Sequence, residues 1–346
     1  MQRDDTPTTI FIDAEMPAEE LAARIAAQPV LDFIHVDHVK DGGRSTSLIM
    51  LSRHDRRYRP LLMCLALHGF HLFSNREGLS RFVRQRRIGT FWHEVLQGDV
   101  SVDESDIAYT FAPPRQEAGP PSLLVVYSSI HEHIYTPSLR RHFYVNFPKL
   151  RKYVPPNTAI LRIADMGGVV GSYYMDTYAL PDNEANVWAL IARIAKVRGI
   201  ATDDIVHYGL SKGGSAALLY AARHGGRAVL VDPILSDRHY LENYDDFHFT
   251  EGLYPVSKEE KFGPLLARPH PALSASVIFS SRSPQAPTIR RTLLEPFAER
   301  FTFLDVDNPA IRDHVDVHPN AMAHIVAQLS CRLAGVEMGP GLRRVF

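Results

Sequence analysis

From about residue 122 onward, short unbroken runs of apolar and β-branched residues alternate with longer stretches in which apolar positions recur every three or four residues. Unbroken runs suit strands buried on both faces, and the longer periodic stretches suit helices laid across them. The pattern predicts strand 123–128, helix 138–147, strand 159–163, helix 183–198, a strand from 205 leading to helix 215–224, and strand 228–231. Strand 276–280, helix 287–300, strand 301–306 and a final helix from about 319 to 333 complete it. This βα rhythm implies a mostly parallel sheet with helices on both faces. Upstream, the chain reads as strand 9–12, helix 18–27, strand 47–51, helix 59–69, strand 70–73 and a helix over 77–85 behind Asn75 as N-cap. The proline-rich polar run FAPPRQEAGPPS at 111–122 is the expected boundary. The predicted organisation is therefore a small N-terminal α/β domain over 1–118 and a doubly wound domain over 119–346, with an insertion at about 236–272.

Candidate chemistry concentrates in IVHYGLSKGGSAALLYAARHGGRAVLVDPIL, residues 205–235, which reads as strand, glycine turn, helix, glycine stop and second strand. At the turn, Gly209-Leu210-Ser211-Lys212-Gly213 is a G-x-S-x-G. In that pattern a serine on a strained strand-to-helix turn presents its hydroxyl above the sheet, the nucleophile elbow of the α/β hydrolase fold. The glycines remove side chains where turn and helix pass closely. A bland alternative is a phosphate-binding turn with Lys212 as anion partner, but the spacing is neither G-x-x-x-x-G-K-[ST] nor G-x-G-x-x-G.

A serine nucleophile needs a base within reach and a carboxylate to orient that base. In chain order the base falls in the loop DNPAIRDHVDVHPNAM before the last helix, which offers His314 and His318. His318 directly precedes Pro319 and suits a helix entrance, so His314 is preferred. The loop SSRSPQAP, from Ser280, holds no carboxylate, which moves the acid to Asp232 at the end of strand 228–231. Asp232-Pro233 would equally serve as a turn initiator, so Asp305, Asp307, Asp313 and Asp316 stay in reserve. The oxyanion donors are expected at the backbone N–H of Lys212 and, from the loop SSIHEHIY after the first core strand, at Ser129 or Ile130. His131 and His133 read as surface or substrate-facing residues. The run Ala164–Gly171 reads as a tight glycine turn or a ligand-approach loop, and HYLENYDDFHFTEGLYP at 239–255 as an aromatic, acidic lid.

Composition narrows the partners. Of 346 residues 45% are hydrophobic and 22% charged, and 38 Lys plus Arg nearly cancel 39 Asp plus Glu. Such a chain has no global field for nucleic acid or an anionic membrane. No run approaches the ~18 apolar residues of a membrane span and the N-terminus lacks a secretory pattern, so a cytoplasmic location is expected. Cys64 and Cys331 lack metal-type spacing and read as buried thiols. No metal or organic cofactor is expected, the partners being an acyl donor and a small-molecule or glycan acyl acceptor.

The strings SSI after a strand, RHFYVNFPKL, ILRIADMGGVVGSYYMDT, YGLSKGGSAALLY and VDPI together resemble the XcbB/CpsF-type capsular polysaccharide biosynthesis proteins. More distantly, they resemble the glycan O-acetyltransferase of accessory secretion systems. The resemblance covers about residues 120–325 and implies an α/β hydrolase fold, Ser211 as nucleophile and a histidine from the 314–318 segment. The sequence thus leads to serine-dependent acyl transfer or acyl ester or thioester hydrolysis through a Ser-His-acid site, in polysaccharide (capsule) or related secondary-metabolite biosynthesis. A non-catalytic binding component of the same fold, and a peptidase or amide-forming ligase, are the rivals.

Overall fold

The computed structural model describes residues 7–117, 119–336 and 338–346. In chain order the first elements are β1 (Thr8–Asp13), α1 (Ala18–Ala27), β2 (Leu31–Asp37), α2 (Leu48–His54), α3 (Arg59–Leu67), β3 (Phe70–Arg76) and β4 (Leu79–Arg84). They build a four-stranded sheet of order β1-β2-β4-β3, with only β1 and β2 parallel. Two expectations fail here. Residues 47–51 begin a helix, because the run is short and Ser47 caps it, its side chain accepting from the Met50 amide at 3.4 Å. In place of the helix expected over 77–85, residues 79–84 form a strand, because Glu77 (φ 55°) and Gly78 (φ 78°) both turn left-handed and fold β3 back onto β4. β2, absent from the sequence reading, pairs between β1 and β4.

The larger sheet has nine strands in the order β13-β12-β11-β10-β9-β7-β8-β6-β5. They are β5 (Ser101–Val102), β6 (Ala108–Ala112), β7 (Ser122–Tyr127), β8 (Thr158–Ile163), β9 (Ile205–Leu210), β10 (Arg227–Val231), β11 (Ser274–Phe279), β12 (Thr302–Val306) and β13 (Gly341–Val345). Strands β7 to β13 run parallel, while β6 and β5 add an antiparallel edge. β5 and most of β6 precede the proline-rich run, so the large sheet begins before residue 118. The helices include α4 (Asn183–Val197), α5 (Lys212–His224), α6 (Arg238–Tyr244), α7 (Lys258–Ala267), α8 (His314–Asn320) and α9 (Met322–Leu333). Alternate residues of each strand feed opposite faces. Leu123, Val125 and Tyr127 join the core under α4, α5 and α7, whereas Leu124 and Val126 join the core under α9. This is the α/β hydrolase-type doubly wound sheet.

The segment expected as helix 138–147 makes only a 3₁₀ turn at Leu139–His142. Arg141, 1% exposed, pins it there by donating to the carbonyls of Leu72, Val169, Thr136 and Ser138. The small sheet packs its core against Val169, Val170 and Phe249 of the larger unit. Among the described residues no helix is long and apolar enough to cross a membrane.

Candidate active site

The strand order reverses between β7 and β9, since β8 lies beyond β7 on one side and β10 beyond β9 on the other. Carboxyl ends of parallel strands at such a reversal leave a crevice open to ligands. Ser211 follows β9 at that point. Its backbone is left-handed, φ 57° and ψ −122°, a conformation that costs a non-glycine residue roughly 1–3 kcal/mol. The surroundings enforce it. A Cβ at Gly209 would fall 2.0 Å from the Gly213 carbonyl oxygen, and one at Gly213 2.5 Å from that of Tyr127. The Ser211 amide donates to Val231 O at 2.8 Å, tying the turn to β10.

Three candidate residues meet. Ser211 Oγ lies 2.7 Å from His314 Nε2, and His314 Nδ1 lies 2.7 Å from Asp232 Oδ2. His314 is the first residue of α8 rather than a loop residue. Asp313 caps that helix in a reciprocal box with Asp316, its side chain accepting from the His314 amide at 2.6 Å. Asp232 leaves β10 with φ 43° and its amide bonds Ile278 O at 2.8 Å. Ser283, from the carboxylate-free loop after β11, donates to the same Oδ2 at 2.5 Å. Asp232 Oδ1 is buried without a partner among the described residues, so Ser283 and His314 carry the compensation of this carboxylate.

The reserve residues are placed elsewhere. His318 lines the cavity but bonds neither Ser211 nor Asp232, and burial holds it below its ordinary value. Asp305 accepts from the Ser281 amide at 2.7 Å and pairs with Arg290 at 3.2 Å. Asp307 pairs with Arg282 at 3.2 Å and Arg344 at 2.5 Å. Asp316 closes the capping box. The Lys212 side chain is no anion ligand: fully buried, it pairs with Asp165 at 2.8 Å and donates to Val170 O at 3.0 Å. Burial pulls its pKa down and Asp165 opposes the shift. Asp165 also accepts from the amides of Ser172, Tyr173 and Tyr174 at 3.0, 2.9 and 3.1 Å. The run 164–171 is thus a collar around this ion pair, and a Cβ at Gly171 would fall 2.3 Å from Lys212 Nζ.

Ser211 and His314 open into a cavity of about 560 Å³. Ser129 and Ile130 line it from the end of β7, and Tyr240, Tyr244, Phe247 and His248 from the insertion. Ser129 Oγ donates to Asn146 Oδ1 at 2.7 Å, and Asn146 Nδ2 to Tyr127 O at 2.8 Å, which fixes the loop carrying the Ser129 and Ile130 amides. Those two amides and that of Lys212 donate to no backbone carbonyl among the described residues. His131 lines the cavity while His133 does not. Sequence reasoning missed Ser283, Asn146 and His248. Each lies in a loop whose approach to Ser211 is set by the sheet and not by any spacing.

The sequence matches no protein family description and no curated protein. Solved structures do resemble the fold. A glycosylation-associated protein complex (Gap123) from Streptococcus agalactiae aligns with TM-score 0.51 and 15% identity, over 77% of this chain and 52% of that one. A capsule O-acetyltransferase of Neisseria meningitidis serogroup A aligns with TM-score 0.47 and 13% identity over 66% and 91%. The fluorophosphonate-binding serine hydrolase F of Staphylococcus aureus aligns with TM-score 0.47 and 13% identity over 64% and 92%. At these identities the likeness is one of fold alone.

Proposed function

We propose that this chain is a serine-dependent acyltransferase or acyl esterase of the α/β hydrolase type, acting in the cytoplasm on capsule or related glycan intermediates. One observation carries the reading: the continuous hydrogen-bonded line from Ser211 Oγ through His314 to Asp232, 2.7 Å at each step. In that line Ser211 Oγ attacks the acyl carbonyl of an ester or thioester while His314 Nε2 takes its proton. Asp232 holds the imidazole with Nε2 toward the serine and stabilises the imidazolium. The amides of Lys212 and of Ser129 or Ile130 receive the charge on the carbonyl oxygen. His314 then returns its proton to the leaving group, and the acyl-serine is released to water or to an acceptor hydroxyl activated by the same histidine. The aromatic insertion lines the cavity beside Ser211, and a site that excludes water favours transfer to an acceptor. The strings that resemble those of capsule biosynthesis proteins, and rings suited to stack on sugar faces, support a glycan acceptor.

A fluorophosphonate probe tests the activated serine. Labelling of the wild type that vanishes in Ser211→Ala is expected, and His314→Ala should lose about 10³-fold or more in rate, with the double variant little worse. A folded wild type that takes no label favours the binding-component rival. Intact mass after incubation with small acyl donors shows which group the serine accepts.

A further inference from the structure

A second histidine enters the cavity from the insertion, and the serine–histidine–aspartate line does not use it. His248 is 3% exposed and lines the cavity shared by Ser211 and His314. Its Nδ1 lies 3.1 Å from the hydroxyl of Tyr173, a fully buried residue. Among the described residues that hydroxyl has no other hydrogen-bond partner. If His248 Nδ1 carried a proton toward it, the phenolic hydrogen would be buried without an acceptor, at a cost of about 1–3 kcal/mol. Tyr173 is therefore the donor, Nδ1 the acceptor, and the ring proton sits on Nε2. Nε2 bonds no protein atom among the described residues, yet it is not one of the polar atoms sealed from solvent, so it meets the cavity.

The charges around the ring keep it in this form. Lys258, fully buried, lies 3.5 Å above the Tyr173 ring and pairs with Asp237. Tyr240 packs on His248 with ring centroids 4.3 Å apart. Lys212 and His314 face it from the elbow and from α8, while Asp165 is committed to Lys212. Burial, then Lys258, His314 and Lys212, push the pKa of His248 well below its ordinary value. His314 and His248 thus divide two roles that one imidazole cannot hold together: one ring moves a proton, the other keeps it.

We propose that His248 is a fixed neutral donor of this site, its Nε2–H bonding an oxygen of the substrate bound above Ser211, with Tyr173 as the positioning residue that sets its tautomer. The identity of the substrate oxygen, an ester or acceptor hydroxyl, rests on the acyl-transfer reading; the tautomer does not. A neutral imidazole held as a donor is an effective way to polarise an oxygen without a net charge in the site.

Two measurements on the full chain test this. Imidazole ¹⁵N correlation spectra, with His248 assigned through His248→Gln, should show a neutral Nε2–H ring from pH 5.5 to 8.5. An Nδ1–H ring, or titration near the ordinary histidine value, would overturn the proposal. Turnover of p-nitrophenyl esters should fall in His248→Leu by about 10–100-fold in kcat/KM, the worth of one substrate hydrogen bond. His248→Gln, which returns an N–H near the same point, should recover most of it, and Tyr173→Phe should fall between. Equal loss in the Leu and Gln variants, or no loss in either, sinks the donor role. Fluorophosphonate labelling of Ser211 separates the two failures. If the wild type is not labelled, the acyl-transfer reading fails and the tautomer decides the inference; if it is labelled, the variants decide.

Discussion

Asp232 gathers both its side-chain hydrogen bonds on one oxygen, from His314 and from Ser283, and leaves the other bare. Neutralising it without changing its size therefore attacks orientation and charge together. Asp232→Asn should fold normally and lose on the order of 10⁴-fold in turnover, the precedent for an amide in this position. Ser283→Ala keeps the carboxylate and removes one hydrogen bond to a charged group, about 1.5–3 kcal/mol, so its loss should be roughly 10–100-fold. Ester kinetics beside a circular-dichroism melt check both, and Asp232→Asn at wild-type rate would remove it from the reaction. The ion pair beneath Ser211 is a different case. Asp165→Ala leaves Lys212 charged and fully buried, which should cost about 3–5 kcal/mol in urea unfolding, while Asp165→Ala with Lys212→Met should regain part of it. At this scale the meeting of Ser211, His314 and Asp232 was legible because motif and chain order limit each to a few positions. The fate of the Lys212 side chain was not, since its partner lies in a loop 47 residues upstream whose path no local pattern encodes.

The elements divide the same way. Strands β7 to β12 announce themselves because a strand buried on both faces is nearly continuously apolar. The small sheet hides β2 and β4, whose polar positions face solvent or a partner: Asp32 in β2 meets Arg86 at 3.2 Å, and Ser80 in β4 bonds His38 at 2.8 Å. β5 and β6 are short, and their membership in the large sheet depends on β6 finding β8 across 46 residues or more. The elbow itself is an element-scale device. Its glycines face backbone, which cannot swing aside, so Gly209→Ala should yield no cooperatively folded protein by circular dichroism or limited proteolysis. The insertion is held from outside the large sheet. Asp245, at the end of α6, pairs with Arg53 at 3.3 Å, with Arg56, and with Arg59 at 2.5 Å, all from the N-terminal segment. Phe249 completes the joint within the core of the small sheet. Arg59→Ala should accordingly speed hydrogen exchange across 238–255 and raise KM, with Ser211 labelling retained. Unchanged exchange there would show that the small sheet does not support the lining of the cavity.

At the scale of the molecule, the buried histidines set an acid limit that composition alone does not reveal. His71, His142, His207 and His248 are all fully or almost fully buried. Burial is the first cause in each case, taking His71 down to about 4 and His207 to about 3, and His142 and His248 well below the ordinary value. Several lie along the joint between the two sheets or under the site: the rings of His71 and His142 meet edge to face at 5.0 Å, and His207 Nδ1 hydrogen-bonds the Tyr127 hydroxyl at 2.9 Å. The sign of the linkage follows from the proton count. Well above pH 6.5 these groups are neutral in both folded and unfolded chains and stability does not depend on them. Below it the unfolded chain binds protons that the folded chain refuses, so stability falls with pH until the folded values are reached, near 4 for His71 and 3 for His207. Each histidine withdraws at most about 1.4 kcal/mol per pH unit, and four acting together consume a domain stability of roughly 5–15 kcal/mol within two or three units. Urea midpoints should therefore stay level from pH 8.5 to 7 and drop steeply between 6.5 and 5. His207→Gln should make that drop shallower by about one histidine's share, even though it weakens the protein at neutral pH by disturbing the Tyr127 contact. A midpoint that holds level down to pH 5 would mean that these rings are protonated inside the fold. The neutral core assigned to them, His248 in the cavity included, would then be wrong.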